Sequence, residues 1–310
     1  MNSPIVLFTF NRLNLLKKTI KCLQRNYLAI ETDLVVFSDG HKDEKNLQEI
    51  IAIRNFLKKV TGFKSILTIE REENLGLEKN IILGLDYIFS KYEKVIVLED
   101  DIITSKYFLN FMNDSLLKYE SYKDVCQISG YSFLEKYQNQ YKLDDLYFIK
   151  GADCLAWGTW KDRWKSYTND SENLAKQIIN KKLKREFNRD NAYNFYKMLK
   201  SKSRNNNSWA ICWYAINFLK NKYTLYPLRS FACHIGNDSN ATNYISPIND
   251  PLDVKIYKKQ FVVKTIEINE KEQTFFAYNK FLKDSKGSLY ERIKCYLKVF
   301  MRENLSLNEF

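Results

Sequence analysis

The residue run best equipped for chemistry is Glu99-Asp100-Asp101, three consecutive carboxylates directly behind the apolar stretch Val95-Ile96-Val97-Leu98. Like charges this close repel one another and resist burial unless a cation or a base compensates them. A hard divalent ion such as Mg2+ or Mn2+ meets that need. It prefers oxygen ligands and takes one or two carboxylates together with substrate phosphates. Bridged to a diphosphate, it would stabilise the charge that develops as the diphosphate leaves. The competing reading is a helix start, because Asp100 and Asp101 would also suit the positive end of a helix beginning near Thr104.

Other polar groups stand at comparable places. Asn11-Arg12 follow the apolar run 4–10, Ser38-Asp39-Gly40 follow Leu34-Val35-Val36-Phe37, and Glu70-Arg71 follow Ser65-Ile66-Leu67-Thr68-Ile69. Continuous apolar runs of this length read as strands covered on both faces. Between them lie helical patterns: Leu13, Leu16, Ile20 and Leu23 recur at helical spacing, and a second helix is expected over 44–60. Asn74 is placed to cap a third, which carries Leu77, Ile81, Leu85 and Ile88. Such alternation implies an α/β fold with a doubly wound, mostly parallel sheet, and ligands bind such sheets beyond the carboxyl ends of the strands. Four strands thus deliver polar groups to one edge.

In this order the motifs resemble those of GT-A glycosyltransferases, in particular bacterial family 2-type enzymes and those like N-acetylglucosaminyltransferase I. The matching pieces are Phe8-Thr9-Phe10-Asn11-Arg12, Ser38-Asp39-Gly40, Asn74-Leu75-Gly76 with Lys79-Asn80, and Val97-Leu98-Glu99-Asp100-Asp101. The resemblance implies that Asp39 contacts the base or ribose of a nucleotide, that Asp101 is the direct metal ligand, and that Asp100 faces the ribose or sugar. Phe10, Asn11, Arg12, Asn74, Gly76, Lys79, Asn80 and Glu99 would complete the donor site. The implied cofactor is Mn2+ or Mg2+ and the implied donor a nucleoside-diphosphate sugar, with UDP the default. The implied acceptor is a glycan or a lipid-linked glycan of a bacterial surface polysaccharide, such as lipopolysaccharide or capsule, and the transfer would invert the anomeric centre.

Beyond Val125 the regularity fades. The segment 151–160, with Trp157 and Trp160, is similar to the stretch that closes over donor sugar and acceptor in such enzymes, which makes Trp157 a candidate sugar contact. Trp157, Trp160 and Trp164 also sit at helical spacing, and Trp164 reads as packing. A polar helical stretch is expected over 171–202, an apolar helix from Trp209 capped by Ser208, and a short strand over 223–226. An inverting enzyme needs a general base near the acceptor hydroxyl. Relatives carry a carboxylate at the start of a late helix, where this chain has Ala210. The remaining candidates are Asp153 and Asp238. His234, in a loop similar to one that lies near the diphosphate in related proteins, could complete the metal shell or contact phosphate; a lone histidine is otherwise structural.

The 310 residues carry a formal net charge of +12, with 45% hydrophobic and 15% aromatic residues. That composition excludes a mainly disordered chain. The positive balance suits anionic partners or a lysine-rich solvated surface. A nucleic-acid-binding protein would carry its main motif in basic residues with interleaved aromatics, whereas here the sharpest motif is acidic. A sugar-phosphate nucleotidyltransferase of related fold would show glycines and lysine just after the first strand, where Asn11-Arg12-Leu13-Asn14 stand instead. Six scattered cysteines without a CxxC pair suggest reduced thiols. The opening apolar stretch is too short for a signal peptide and no run of about 18 apolar residues occurs. A cytoplasmic protein is expected, with peripheral contact to the inner membrane face through a basic amphipathic helix over 289–305, which could equally pack on the protein's own body. The expected domains are a GT-A unit over 1–255, divided into a nucleotide-sugar half (1–130) and an acceptor half (131–255), and a C-terminal extension over 256–310. The second part of the chain is expected to be mainly helical.

Overall fold

A computed structural model describes residues 2–202, 208–236 and 254–285. Asp238 and the expected helix over 289–305 lie outside them. In chain order the elements are β1 (Ile5–Thr9), α1 (Leu13–Gln24), β2 (Asp33–Ser38), α2 (Glu44–Leu57), β3 (Ser65–Glu70), α3 (Gly76–Phe89), β4 (Lys94–Glu99), β5 (Ile102–Thr104), α4 (Phe108–Lys118) and β6 (Val125–Ser129). Then come α5 (Gln138–Tyr141), β7 (Leu146–Lys150), β8 (Trp157–Trp160), α6 (Lys161–Trp164), α7 (Ser171–Asn180), α8 (Lys184–Phe187), α9 (Phe195–Lys202), α10 (Trp209–Leu219), β9 (Tyr223–Pro227), β10 (Ala232–His234) and α11 (Glu272–Asp284).

Eight strands make one sheet in the order β3-β2-β1-β4-β8-β6-β9-β7. The first four are mutually parallel, as the sequence implies. Alternate side chains of their apolar runs supply two cores. Ile5, Leu7, Leu34, Val36, Ile96 and Leu98 pack with Leu16 and Ile20 of α1 and with Phe108 and Met112 of α4. Val6, Phe8, Val35, Phe37, Val95 and Val97 pack on the opposite face with Ile81, Leu85 and Ile88 of α3. β1, β2 and β4 are covered on both faces, which explains why they show no polar alternation, whereas the edge strand β3 is partly exposed along its length. The result is a Rossmann-like mixed α/β sheet.

Register fixes which strand ends share an edge. β8 runs antiparallel to β4 (Val97 opposite Trp157) and to β6, β9 runs parallel to β6, and β7 antiparallel to β9 (Leu146 opposite Pro227). The carboxyl ends of β1 to β4, β6 and β9 therefore lie along one edge, beside the starts of β7 and β8. A two-stranded ribbon of β10 against β5 pairs His234 with Ile102, which seats the histidine beside the acidic run.

The helical spacing of the tryptophans is misleading. Trp157 and Trp160 lie on β8, and an odd separation along a strand sends them to opposite faces. Trp157 stacks on Trp209 at 5.4 Å between ring centroids, with Trp164 and Trp213 alongside. The stretch from Ser171 resolves into α7, α8 and α9. Residues 254–285 pack onto the body: Phe281 stacks on Phe133 at 4.2 Å, and Tyr137 Oη donates to Asp284 at 2.7 Å. Among the described residues no helix is long and apolar enough to cross a membrane.

Gly40 lets the turn after β2 touch the turn before α3. A Cβ there would collide with the backbone of Glu73 and lie 2.8 Å from the Asn74 amide nitrogen. Gly40→Ala is expected to cost about 1–3 kcal/mol by overpacking, read as a lower midpoint in denaturant unfolding. An unchanged midpoint would show that the two turns separate freely.

Candidate active site

The acidic run emerges from β4 at the sheet edge, and Arg12, just past β1, bridges it. Arg12 Nη2 donates to Asp100 Oδ1 at 2.7 Å and to Asp101 Oδ2 at 2.6 Å. Asp100 is buried and held from several sides. Its Oδ2 accepts from Thr9 Oγ1 at 2.8 Å and from the Phe10 amide at 3.2 Å, and its carbonyl accepts from Thr19 Oγ1 at 2.8 Å. Asp101 has a second neighbour, His234, whose Nε2 lies 3.2 Å from Oδ2, while its carbonyl accepts from the Ile235 amide at 2.8 Å.

These contacts sort the three carboxyls. Burial pushes the Glu99 carboxyl up to about 8, reinforced by the charges of Asp101 and Asp100 and opposed by Arg12. Burial also raises Asp100, and the attraction of Arg12 opposes it. At Asp101 burial works upward too, but His234 and Arg12 outweigh it and hold the carboxyl below the ordinary range. The guanidinium of Arg12 is in turn raised: burial disfavours its charge, and Asp100 and Asp101 more than compensate. Asp101 is thus the member whose ionised form its neighbours favour most, as suits a metal ligand.

The residues fit a hard divalent ion. Asp101 Oδ2 and His234 Nε2 converge, Gly236 leaves open the space beside both that a Cβ would fill, and His234 Nδ1 is buried without a hydrogen-bond partner. Among the described residues no three His, Cys, Asp or Glu side chains form a cage. The remaining ligands would have to be phosphate oxygens and water, which is how Mg2+-type sites are commonly filled.

Asp39 is buried and fully engaged. Its Oδ1 accepts from the amides of Leu75 (2.9 Å) and Gly40 (3.0 Å), and its Oδ2 from the Gly76 amide (3.0 Å) and Asn74 Nδ2 (3.3 Å). The carboxylate that closes the first turn of α3 therefore comes from the turn after β2. Asn74 is not the cap: the helix begins at Gly76 with Leu75 in the cap position, and Asn74 Nδ2 donates to the Gly40 carbonyl at 2.9 Å. Gly76 has φ +72°, a conformation that suits glycine.

The other expected donor-site residues are spread along the edge. Asn11 Nδ2 donates to Glu49 of α2 at 3.1 Å, Lys79 is exposed on α3, and Asn80 is buried, its Oδ1 accepting from Arg71 Nε at 3.2 Å. Trp157 requires correction: it is 0% exposed inside the tryptophan cluster, so its ring packs the core and does not face the crevice. Thr19 is a site neighbour outside every motif, and Thr9 and Cys154 lie inside motif segments that assign them no role of their own. Arg71, noted only as a strand-end group, lies 5.1 Å over the Phe37 ring and keeps one buried guanidinium nitrogen without a partner.

Asp153 sits in the crossing between β7 and β8. Its Oδ1 accepts from the Cys154 amide at 2.7 Å and its Oδ2 from Tyr226 Oη at 3.2 Å, while burial raises its pKa against those bonds. The adjacent Cys154 thiol is raised well above its ordinary value by burial and by the charges of Asp153, Glu99 and Asp101. All three carboxylates therefore lie around one thiol, on the side of the sheet where Ala210 and Trp209 begin α10.

No family model matches the chain, and no curated protein sequence matches it. Solved structures do resemble it. S. aureus TarS aligns over 42% of this chain and 21% of its own, with 18% identity and a TM-score of 0.31. Residues 1–349 of S. aureus TarS in complex with UDP align over 42% and 35%, with 18% identity and a TM-score of 0.31. The mannosyltransferase PcManGT from Pyrobaculum calidifontis, in complex with GDP-Man and Mn2+, aligns over 71% and 70%, with 10% identity and a TM-score of 0.39. The chain thus spans about a fifth to a third of the two TarS chains. The fold assignment stands on the strand order and register themselves.

Proposed function

We propose that this protein is a glycosyltransferase that moves a sugar from a nucleoside-diphosphate donor, UDP by default, to a glycan or lipid-linked acceptor with Mn2+ or Mg2+ as cofactor. The observation that carries the reading is the pairing of Asp101 with His234 at the carboxyl edge, against a guanidinium that balances two buried carboxylates. Asp101 and His234 would hold the ion, which when bound would neutralise the diphosphate of the donor. Arg12 keeps Asp100 and Asp101 oriented and adds positive charge where the diphosphate would lie. Asp39 and Asn74 shape the nucleoside end by holding the turns after β2 and before α3 together. Asp153 is the candidate to accept the proton of an attacking hydroxyl, because burial raises its basicity and Tyr226 fixes its direction.

The direct test is a hydrolysis and transfer screen across nucleotide sugars, with and without Mn2+. Metal-dependent turnover of one donor class is expected. Absence of both turnover and metal-dependent nucleotide binding would end the proposal. Salt-sensitive binding to any polyanion, with no metal dependence, would favour a charge-driven binding protein instead.

A further inference from the structure

Far along the same sheet edge, a cavity of about 560 Å3 opens beside the start of β7 and the end of β9. Its volume falls in the range of small-molecule sites, roughly 300–1,000 Å3. Leu146 and Pro227 face each other there in register, so the cavity lies on the carboxyl edge with Asp101. Three strand steps separate β4 from β9, roughly 14 Å at the usual spacing. The nucleoside residues occupy β1 to β3 on the other side of Asp101. The order along the edge is therefore nucleoside end, acidic run, cavity, and the segment from Pro227 to His234 links the last two.

The lining joins two chemistries. Tyr257 and Phe261 offer aromatic surface, while Asp145, Arg229 and Gln260 offer planar donors and acceptors. Sugars need both, since their C–H faces are apolar and each hydroxyl donates and accepts. The Arg229 guanidinium lies 5.3 Å over the Tyr257 ring, which fixes one wall. Arg229, Lys264 and Lys271 stand against Asp144 and Asp145 in the lining, with Lys271 paired to Asp144 at 2.8 Å, so the cavity is close to charge balance and not a strongly basic site. We propose that this cavity binds distal sugars of the acceptor, so that the substrate is an oligosaccharide whose reacting end lies beside Asp101 and whose body runs toward β7. The proposal rests on the glycosyl-transfer reading for the first end and on the cavity alone for the second.

Saturation-transfer NMR of the full chain with maltotetraose, chitotetraose and xylotetraose, each beside its monosaccharide, tests it. At least one tetrasaccharide is expected to bind ten-fold or more tightly than its monosaccharide. Tyr257→Ala should weaken that binding at least ten-fold, and so should Gln260→Ala, an exposed position whose substitution leaves the core intact. No tetrasaccharide binding, equal binding of mono- and tetrasaccharide, or wild-type affinity in both variants would overturn the proposal. Donor turnover is scored separately. Oligosaccharide binding with neither turnover nor metal-dependent nucleotide binding would refute glycosyl transfer while leaving the cavity as a sugar site.

Discussion

Asp101→Ala is expected to lower donor turnover by about 10^3-fold, equivalent to about 4 kcal/mol of transition-state stabilisation, with little change in thermal stability. The asymmetry follows from the contacts. Asp101 carries the oxygen that faces both His234 and the space left by Gly236, so its removal would dismantle the proposed metal pair. Arg12, by contrast, keeps Asp100 as a partner, and the like-charge repulsion on Asp100 and Glu99 falls. Asp101→Asn should behave similarly, because the amide keeps the shape and loses the charge. The measurement is turnover against Mn2+ concentration, with unfolding midpoints recorded in parallel. A variant that retained wild-type turnover and metal response would remove Asp101 from the mechanism.

The largest effect on stability is expected at Arg189, remote from the chemistry. Its guanidinium makes a bidentate pair with Glu270 at 2.6 and 2.8 Å, and the side chains are 2% and 10% exposed. Phe275 and Tyr278 present their rings to the same guanidinium at 4.6 and 4.9 Å. Arg189→Ala strands a buried carboxylate and should cost about 3–5 kcal/mol. Replacing both partners together, Arg189→Met with Glu270→Leu, should recover most of that loss, since no charge is then left uncompensated. Denaturant unfolding of the two single variants and the double variant decides the matter. Additive losses in the double variant would mean that the pair contributes through something other than mutual neutralisation. The pair joins the end of α8 to the segment before α11, so the single variants should loosen residues 254–285 first.

The parallel half of the sheet was legible because β1, β2 and β4 are covered on both faces and therefore appear as unbroken apolar runs ending in polar residues, and the partly exposed edge strand β3 keeps an apolar run of its own. The acidic run and its partners at the edge were legible for the same reason. In the antiparallel half only β9 was, the strand expected over 223–226 standing at Tyr223–Pro227. β8 is only four residues long and contains Trp157 and Trp160, whose spacing mimics a helix. Strands β6 and β7 lie in a region where helix and strand alternate irregularly. The Asn74 cap was misread because the group that closes α3 is Asp39, 36 residues before Leu75's amide, and no local pattern records a partner at that distance. Arg12 was recognised as a donor-site residue, yet its role as counter-ion to Asp100 and Asp101 depends on β1 lying beside β4, which is a tertiary fact. Trp157 was misassigned because burial by three other tryptophans is likewise invisible along the chain.

The borrowed cap has a dynamic consequence. The opening turn of α3 is closed by a side chain that arrives only when β2 is in place, so the amides of Leu75 and Gly76 should exchange with solvent hydrogen slowly only while that edge is assembled. A nucleoside that draws the Asp39 carboxylate toward itself would unlatch these two amides and quicken their exchange, even as it slowed exchange around it. Two backbone protons at the start of one helix would then report on occupancy of the crevice without any label on the ligand.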